Sequence, residues 1–560
     1  MKIATLLASA STLLMMSFAN VAASDFDYSR PFPLSLLEYE RYQGHWNPWP
    51  LDVVNVQINT DSTTQLQNEE MVAINPQNPD NAVALWRDFR LGFRRVGVGY
   101  TFDGGMTWHD TLLYVPPYPW QSDPVLAVDT SGNYFACTLC LHSTGQGPTG
   151  IYIQKSTDGG VSWADPVIAI DSAFQYFEDK QMIVLDRNPG ATYGNIYIAW
   201  TRFTSDFSST NINMVASTDA GESYGPPVRV SEDGGVQWPV PAVGSGGEVY
   251  VAWFSYFPRG IMFDKSTNQG QSFGVDEYII ETIAMVGEIR GGILVFPFPA
   301  LTSDLAVSSP YLGNLYIAYM DDSGPDMDIF FTRSTDDGVS WSNPIRINDD
   351  EFLNGCDQFH PWLSVDDLGV IHAIFYDRRL DPNNLLFDLY YTRSVDAGMT
   401  WSVNERITTV SSNPSDAALA GLIGEYIGLS AWRNQVQMAW TDTRNGNQDV
   451  FSGRMNLTSI DEVEENLPGS FGITNIYPNP FNSRVSIQYR APNGGEVGLD
   501  IVDLLGRQLK RLMPRPFTGG SGGVIWDGLD NSGNAVASGP YFVRLKGAGK
   551  VMAKKVVLLR

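Results

Sequence analysis

Arginines, carboxylates and aromatic residues recur at matching places along this chain, beside short apolar segments. Trp86-Arg87-Asp88 with Arg90, Trp200-Thr-Arg202, Asp321-Asp322, Tyr376-Asp377-Arg378-Arg379 and Trp440-Thr-Asp442-Thr-Arg444 follow such segments. Glu69-Glu70, Asp123, Glu178-Asp179, Asp357 with His360, and Glu425-Tyr426 precede others. A guanidinium can hold a carboxylate through two parallel hydrogen bonds. Two carboxyl groups can share the acid and base work of glycoside cleavage. Aromatic side chains offer an apolar body against which a sugar ring can stack. Singly, each charge reads more simply as a solvated loop charge or an ion pair between neighbouring units. As a set, they point to recognition of an acidic or polyhydroxylated ligand.

The elements that would position them are repeats. The pattern S/T-x-D-x-G-x-S/T-aromatic occurs at Thr101–Trp108, Ser156–Trp163, Ser217–Tyr224, Ser266–Phe273, Ser334–Trp341 and Ser394–Trp401, with Asn268 replacing Asp in the fourth copy. Successive copies start 49 to 68 residues apart, a period typical of repeat architectures. The chemistry of the motif is that of a tight turn. Asp accepts hydrogen bonds from nearby backbone N–H groups, and Gly supplies a positive φ. Before the turns run strands of the type Asn-Ile-Tyr-Ile-Ala-Trp, beginning near Asn81, Asn133, Asn195, Glu248, Asn314, Val370 and Gln435, each preceded by another apolar strand. A short strand follows each turn, so the unit is four antiparallel strands, one propeller blade. The seventh unit lacks the turn and its outer strand, and Val53–Ile58 is expected to fill that place.

Length and charge bound the rest. The chain has 560 residues and a net charge of −26, which argues against nucleic acid as a partner. Lys2, the apolar run Ile3 to Phe18 and the small residues Val21-Ala22-Ala23 read as a signal peptide over 1–23. No later segment is long enough to span a membrane as a helix. The C-x-x-C of Cys137 and Cys140 falls in a strand, where an odd separation puts the two side chains on opposite faces. The acidic run Asp321 to Asp328 offers oxygen ligands that would suit Ca²⁺, although a plain acidic loop is the simpler reading. No other cofactor and no other metal site is expected.

The six turns resemble the Asp-box, or bacterial neuraminidase repeat, of the sialidase-like β-propellers. The expected organisation is an N-terminal extension over 24–49, an all-β propeller over 50–455, a polar linker over 456–470 and a small β-sandwich over 471–560. Seven blades are expected, with six as the alternative. The last segment, with Tyr477-Pro-Asn-Pro-Phe-Asn482, Asp503-Leu-Leu-Gly-Arg507 and Gly539-Pro-Tyr-Phe-Val543, resembles the carboxy-terminal sorting domain of type IX secretion substrates and the immunoglobulin-like domain of the flagellar hook-capping protein. That resemblance implies export, contact with the type IX machinery, and a secreted or surface-attached protein, expected to be a monomer.

The sialidase resemblance implies a tyrosine nucleophile, a glutamate that activates it, an aspartic acid catalyst and arginines that hold a substrate carboxylate, on the face opposite the Asp-boxes. Tyr426 stands where the tyrosine would be, with Glu425 beside it in sequence and Glu178 or Glu70 as its expected partner. Asp88 and Asp442 are the other catalytic candidates. Arg87, Arg202, Arg378, Arg379, Arg444, Tyr376 and Trp440 are the expected binding residues. Tyr426, Arg379, Arg444 and Asp442 are expected to line one pocket, with Arg87 contributed across it. The family's amino-terminal Arg-Ile-Pro is replaced by Asn68-Glu-Glu-Met-Val. Two readings therefore stand: an exported glycan-active protein, in its sharpest form a sialidase-like exo-glycosidase, or a non-catalytic module that binds a glycan, glycoprotein or other protein.

Overall fold

The repeat turns close on their own side chains. In the first, Asp103 accepts from the Thr107 N–H at 2.9 Å, the Thr107 hydroxyl at 2.6 Å and the Thr101 hydroxyl at 2.8 Å, while Thr101 Oγ1 accepts from the Gly105 N–H at 3.0 Å. The residue at the Asp position accepts the same backbone N–H in the other five turns, including Asn268. The six motif glycines have φ between 75° and 94°, which a side chain resists. They also lie against the neighbouring sheet. A Cβ at Gly338 would stand 2.3 Å from Phe263, and one at Gly398 would stand 2.1 Å from Phe331.

A computed structural model of the chain describes residues 53–115, 118–141, 149–172, 176–282, 287–322, 326–417, 419–457, 472–477, 481–491, 497–503, 507–512, 520–547 and 550–559. The expected signal peptide, the N-terminal extension and most of the linker lie outside the described residues, as do positions 323–325 of the acidic run. The chain divides into two compact units, Met1–Asn456 and Leu457–Arg560.

The described strands of the first unit form seven four-stranded antiparallel sheets and one two-stranded ribbon, an all-β, propeller-like arrangement. Six of the sheets take four consecutive strands, as in Gln67–Ile74, Ala82–Asp88, Arg95–Thr101 and His109–Leu112. The seventh takes Gly428–Trp432, Gln435–Asp442 and Asp449–Asn456, and is completed by Asn55–Gln57 from the other end of the unit. Asn55, Val56 and Gln57 stand opposite Gly453, Ser452 and Phe451. This is the pairing expected of Val53–Ile58, shortened to three residues. The first strands of the sheets adjoin in chain order, and Gly428–Trp432 adjoins Gln67–Ile74. Second strands such as Ala82–Asp88 are buried along their whole length, with Trp86, Trp200, Trp253 and Trp440 fully enclosed.

Cys137 and Cys140 are free and buried in separate apolar clusters, Cys137 with Phe135 and Ile151, Cys140 with Val96 and Tyr134. The ribbon Gly287–Ile289 with Ile293–Val295 is an insertion before the fifth sheet that the repeat pattern does not announce. The second unit has a three-stranded and a four-stranded antiparallel sheet. They share a core that includes Val485, Ile487, Leu499, Trp526, Val543 and Val556.

The turns carry a pH signature. The hydrogen bonds of Thr107 and Thr101 outweigh slight burial and hold Asp103 down to about 2. The Ser340 and Ser223 bonds hold Asp336 and Asp219 below the usual carboxylate range. A carboxyl depressed by folding stabilises the native state above its unfolded pKa and loses that contribution as pH falls through the folded value. The first unit is therefore expected to hold its stability down to about pH 4 and to lose it steeply between there and about pH 2. Urea melts at graded pH test this; a flat stability profile from pH 4 to 2 would refute it.

Candidate functional site

The first strands of the sheets are interrupted at corresponding places. Register shifts fall between Asn68 and Met71, Ser122 and Val125, Asp179 and Met182, Gln237 and Val240, and Phe359 and Trp362. Within each interruption a residue other than glycine has a left-handed backbone: Glu69 at φ 59°, Asp123 at 49°, Lys180 at 52°, Trp238 at 59° and His360 at 50°. A bulge re-aims a side chain out of the regular alternation. A left-handed conformation at such residues costs about 1–3 kcal/mol each, strain that gathers at functional sites. Five repeats keep it at the same place.

Four sheets contribute to one buried charge cluster. Lys180 Nζ, from the third sheet, lies 3.0 Å from Glu69 Oε1 of the first and 3.6 Å from Asp123 Oδ2 of the second, and donates to Glu425 Oε2 at the entry to the seventh. Arg87 Nη1 stands 2.7 Å from Glu69 Oε1, and its Nη2 3.8 Å from Glu425 Oε1. The Lys180 ammonium lies 5.8 Å from the centre of the Tyr426 ring. The six residues are each at most 2 % exposed, so their charges must be matched from within the protein.

The electrostatics follow from that burial. Burial drives Glu69 well above the ordinary carboxylate range, against the pull of Arg87. Burial alone would raise Asp123 too, but Lys180 and Arg87 outweigh it and hold that carboxyl below its usual value. Lys180 is raised, because Asp123, Glu425 and Glu69 outweigh the cost of burying an ammonium. His360 is pushed down to about 3 by burial and by Lys180, and is therefore neutral. Several polar atoms here have no hydrogen-bond partner among the described residues: Glu69 Oε2, Arg87 Nη2, Asp123 Oδ2, Trp238 Nε1 and both His360 ring nitrogens. Buried polar atoms without partners are uncommon in folded proteins, and six of those among the described residues belong to the cluster and its surroundings.

The structure brings together only some of the expected residues. Tyr426, Glu425 and Arg87 share the cluster. Tyr426 donates its hydroxyl to the Pro124 carbonyl at 3.1 Å, and its phenol is raised far above the ordinary value, first by burial. Glu178 is not its partner: Glu178 binds Arg202 and accepts from Trp200 Nε1 in its own sheet. Glu70 instead accepts from the Thr441 hydroxyl at 2.7 Å.

Arg379, Asp442 and Arg444, expected to line one pocket with Tyr426, each bind partners of their own. Asp442 accepts from Trp440 Nε1 at 3.0 Å and pairs with Arg444, which reaches Asn55 of the outer strand. Asp88 repeats the arrangement with Trp86 and Arg90. Arg379 pairs with Asp377 and Asp349, and Arg378 with Asp357. Tyr376 donates to the Thr441 carbonyl and accepts from the Thr441 N–H, tying the sixth sheet to the seventh. The acid, the arginine two positions on and, in two sheets, the preceding tryptophan form a clip at the end of a second strand. In the acidic run, Asp328 binds Arg346 and Asn348, and Asp326 accepts from the Gly355 N–H.

Lys180, Trp238 and Arg94 belong to the cluster or its surroundings and were not among the expected residues. Arg94 is buried and lowered, first by burial and then by Arg87. The sequence did carry a signal for two of them. Asn68-Glu-Glu-Met, Ser122-Asp-Pro-Val, Asp179-Lys-Gln-Met, Gln237-Trp-Pro-Val and Phe359-His-Pro-Trp are one position of the repeat, with the re-aimed residue second.

Residues 475–559 match the family described as secretion system C-terminal sorting domain. The chain is accordingly exported, and secreted or attached to the outer cell surface. No helix among the described residues is long and apolar enough to cross a membrane. No curated protein matches the chain. Among solved structures, the chain is similar to a protein of unknown function from Dyadobacter fermentans, at 14% identity and a TM-score of 0.41, over 74% of this chain and 100% of that one. It is similar to a Hadza microbial sialidase at 12% identity and 0.41, over 69% and 65%. It is also similar to a Penicillium chrysogenum α-L-arabinanase at 11% identity and 0.39, over 73% and 99%. Likeness at this level leaves activity and substrate open.

Proposed function

We propose that the first unit is a closed seven-bladed propeller that recognises carbohydrate outside the cell, and that its central polar cluster is the site. The observation that carries this reading is the convergence of Glu69, Arg87, Asp123, Lys180, Glu425 and Tyr426 on one point, with polar atoms left unpartnered around it. Unpartnered buried donors and acceptors next to paired charges suit a ligand rich in hydroxyls or bearing a carboxylate. The Asp-box turns support the same class of ligand by resemblance. In this reading the second unit carries the protein to the surface, and the Trp–acid–Arg clips hold the sheet ends rather than act on a ligand. A glycan array probed with the purified chain and with Arg87→Lys tests it. Binding that weakens at least about tenfold in the variant is expected, since Lys cannot reproduce a bidentate contact. Binding unaffected by the change, or no glycan bound at all, would refute the reading.

A second reading, sialidase-like hydrolysis with Tyr426 as nucleophile, is favoured by Tyr426, Glu425 and Arg87 lying in one cluster. Against it stand the bond from Tyr426 to the Pro124 carbonyl and the raised phenol, the reverse of an activated nucleophile. Tyr426→Phe removes one hydroxyl and little packing. If the parent cleaves an α-sialoside and Tyr426→Phe cleaves it as fast, Tyr426 is not the nucleophile. A loss of about 10³-fold or more would establish this second reading.

A further inference from the structure

Away from the cluster, the edge between the third and fourth sheets holds three carboxylates. Glu232 follows the outer strand Val228–Arg229 of the third sheet; Asp264 lies on the third strand of the fourth, Arg259–Ser266; Asp276 precedes that sheet's outer strand, Glu277–Ile280. One carboxylate oxygen of each lies within 4.8 Å of the others. Two of the groups are held by reciprocal bonds, the Glu232 N–H donating to Asp276 Oδ2 at 2.9 Å and the Asp276 N–H to Glu232 Oε2 at 2.7 Å. Asp264 Oδ1 accepts from the Lys265 and Gly274 N–H groups at 2.6 and 3.0 Å. Each carboxylate thus has one oxygen fixed by backbone.

The remaining oxygens are the informative ones. Asp264 is 3 % exposed, and its Oδ2 has no hydrogen-bond donor; the buried Asp276 Oδ1 has none either. The nearby basic side chains are engaged elsewhere. Arg229 donates to the carbonyls of Ser231 and Glu232, and Lys265 to the carbonyl of Asp337. Among the described residues, no lysine or arginine is within ion-pair distance of the three acids. A buried carboxylate oxygen with neither a donor nor a counter-charge is costly, and Asp264 also has two more acids beside it. Burial, with Glu232 adding to it, raises Asp264 to about 6, and burial also raises Asp276 to about 7.

We propose that Glu232, Asp264 and Asp276 form a Ca²⁺ site that ties the third sheet to the fourth. Three oxygens at most 4.8 Å apart can all be reached from one central point at about 2.8 Å, close to the 2.3–2.6 Å at which Ca²⁺ is held. All-carboxylate ligation suits a hard cation, and an exported protein works where Ca²⁺ is abundant enough for a site with a Kd of about 10⁻⁴–10⁻³ M.

The test uses the full chain, stripped with chelator and desalted, titrated calorimetrically with CaCl₂ and melted with and without it. One ion per chain and a higher Tm in CaCl₂ are expected. Asp264→Asn and Asp276→Asn keep the shape of the side chain while removing the charge. Each should weaken binding about tenfold or more and abolish the Tm rise, while the metal-free Tm stays level or rises because repulsion is relieved. Asp322→Asn, in the acidic run, should leave binding unchanged. No binding at millimolar Ca²⁺, binding that survives in both Asp264→Asn and Asp276→Asn, or binding lost in Asp322→Asn instead would each overturn the assignment.

Discussion

Lys180→Met is expected to lose about 3–5 kcal/mol of stability at pH 8, the scale on which a buried charge is missed by its partners. Methionine matches the stem of the lysine but leaves Glu69, Asp123 and Glu425 without the ammonium that touches all three. Of the remaining cations, Arg87 pairs with only two of the three, and Arg94 acts on Asp123 and Glu69 from farther off. The deficit should shrink as pH falls. Carboxyls stranded in a dry site have raised pKa values, so the folded variant binds more protons than the unfolded chain, and its stability recovers as pH drops toward 5. Denaturant melts of parent and variant at pH 8 and pH 5 measure both effects. A variant as stable as the parent at pH 8 would mean that the cluster does not need its cation.

Gly398→Ala is expected to cost about 3 kcal/mol, from a left-handed backbone that alanine resists and from overpacking. The new methyl would meet Phe331 of the fifth sheet at 2.1 Å, a residue enclosed in the core. Gly446→Ala separates the two contributions. Its φ is 79°, nearly that of Gly398, but no atom lies within 4 Å of the added Cβ. It should lose only about 1 kcal/mol. Equal losses at the two sites would show that the contact between sheets adds nothing, and that the motif glycine serves its turn alone.

Those two substitutions mark what could and could not be read along the chain. The turns were legible because Asp, Gly and the flanking hydroxyls act within eight residues and recur six times. The strands were legible because runs such as Ile196-Tyr-Ile-Ala-Trp200 are apolar throughout. That Gly398 rests on Phe331 could not be read, since the pairing of one repeat's turn with another's strand is a tertiary fact. The site was legible in part. Glu425, Tyr426 and Arg87 were singled out from their position in the repeat, whereas Lys180 and Trp238 were passed over. Side chains on a regular strand alternate, and that rule fails at a bulge, where a left-handed residue is turned out of the pattern. Asp442 and Arg444 look like site residues for the same reason that they are good clips: an acid and a guanidinium two residues apart at a strand end can meet each other directly.

The seventh sheet has a mechanical consequence. Its strand Asp449–Asn456 lies between Gln435–Asp442 on one side and Asn55–Gln57 on the other, and the chain passes from Asn456 straight into the unit with the sorting domain. When that unit is held at the cell surface and the first unit is dragged by a bound ligand or by flow, tension enters at Asn456. It runs along a strand hydrogen-bonded on both sides. Freeing that strand therefore means breaking two ladders of bonds, where a strand paired on one side only would give up one. Three residues from the beginning of the sheet structure thus act as a clasp on the strand that bears the load.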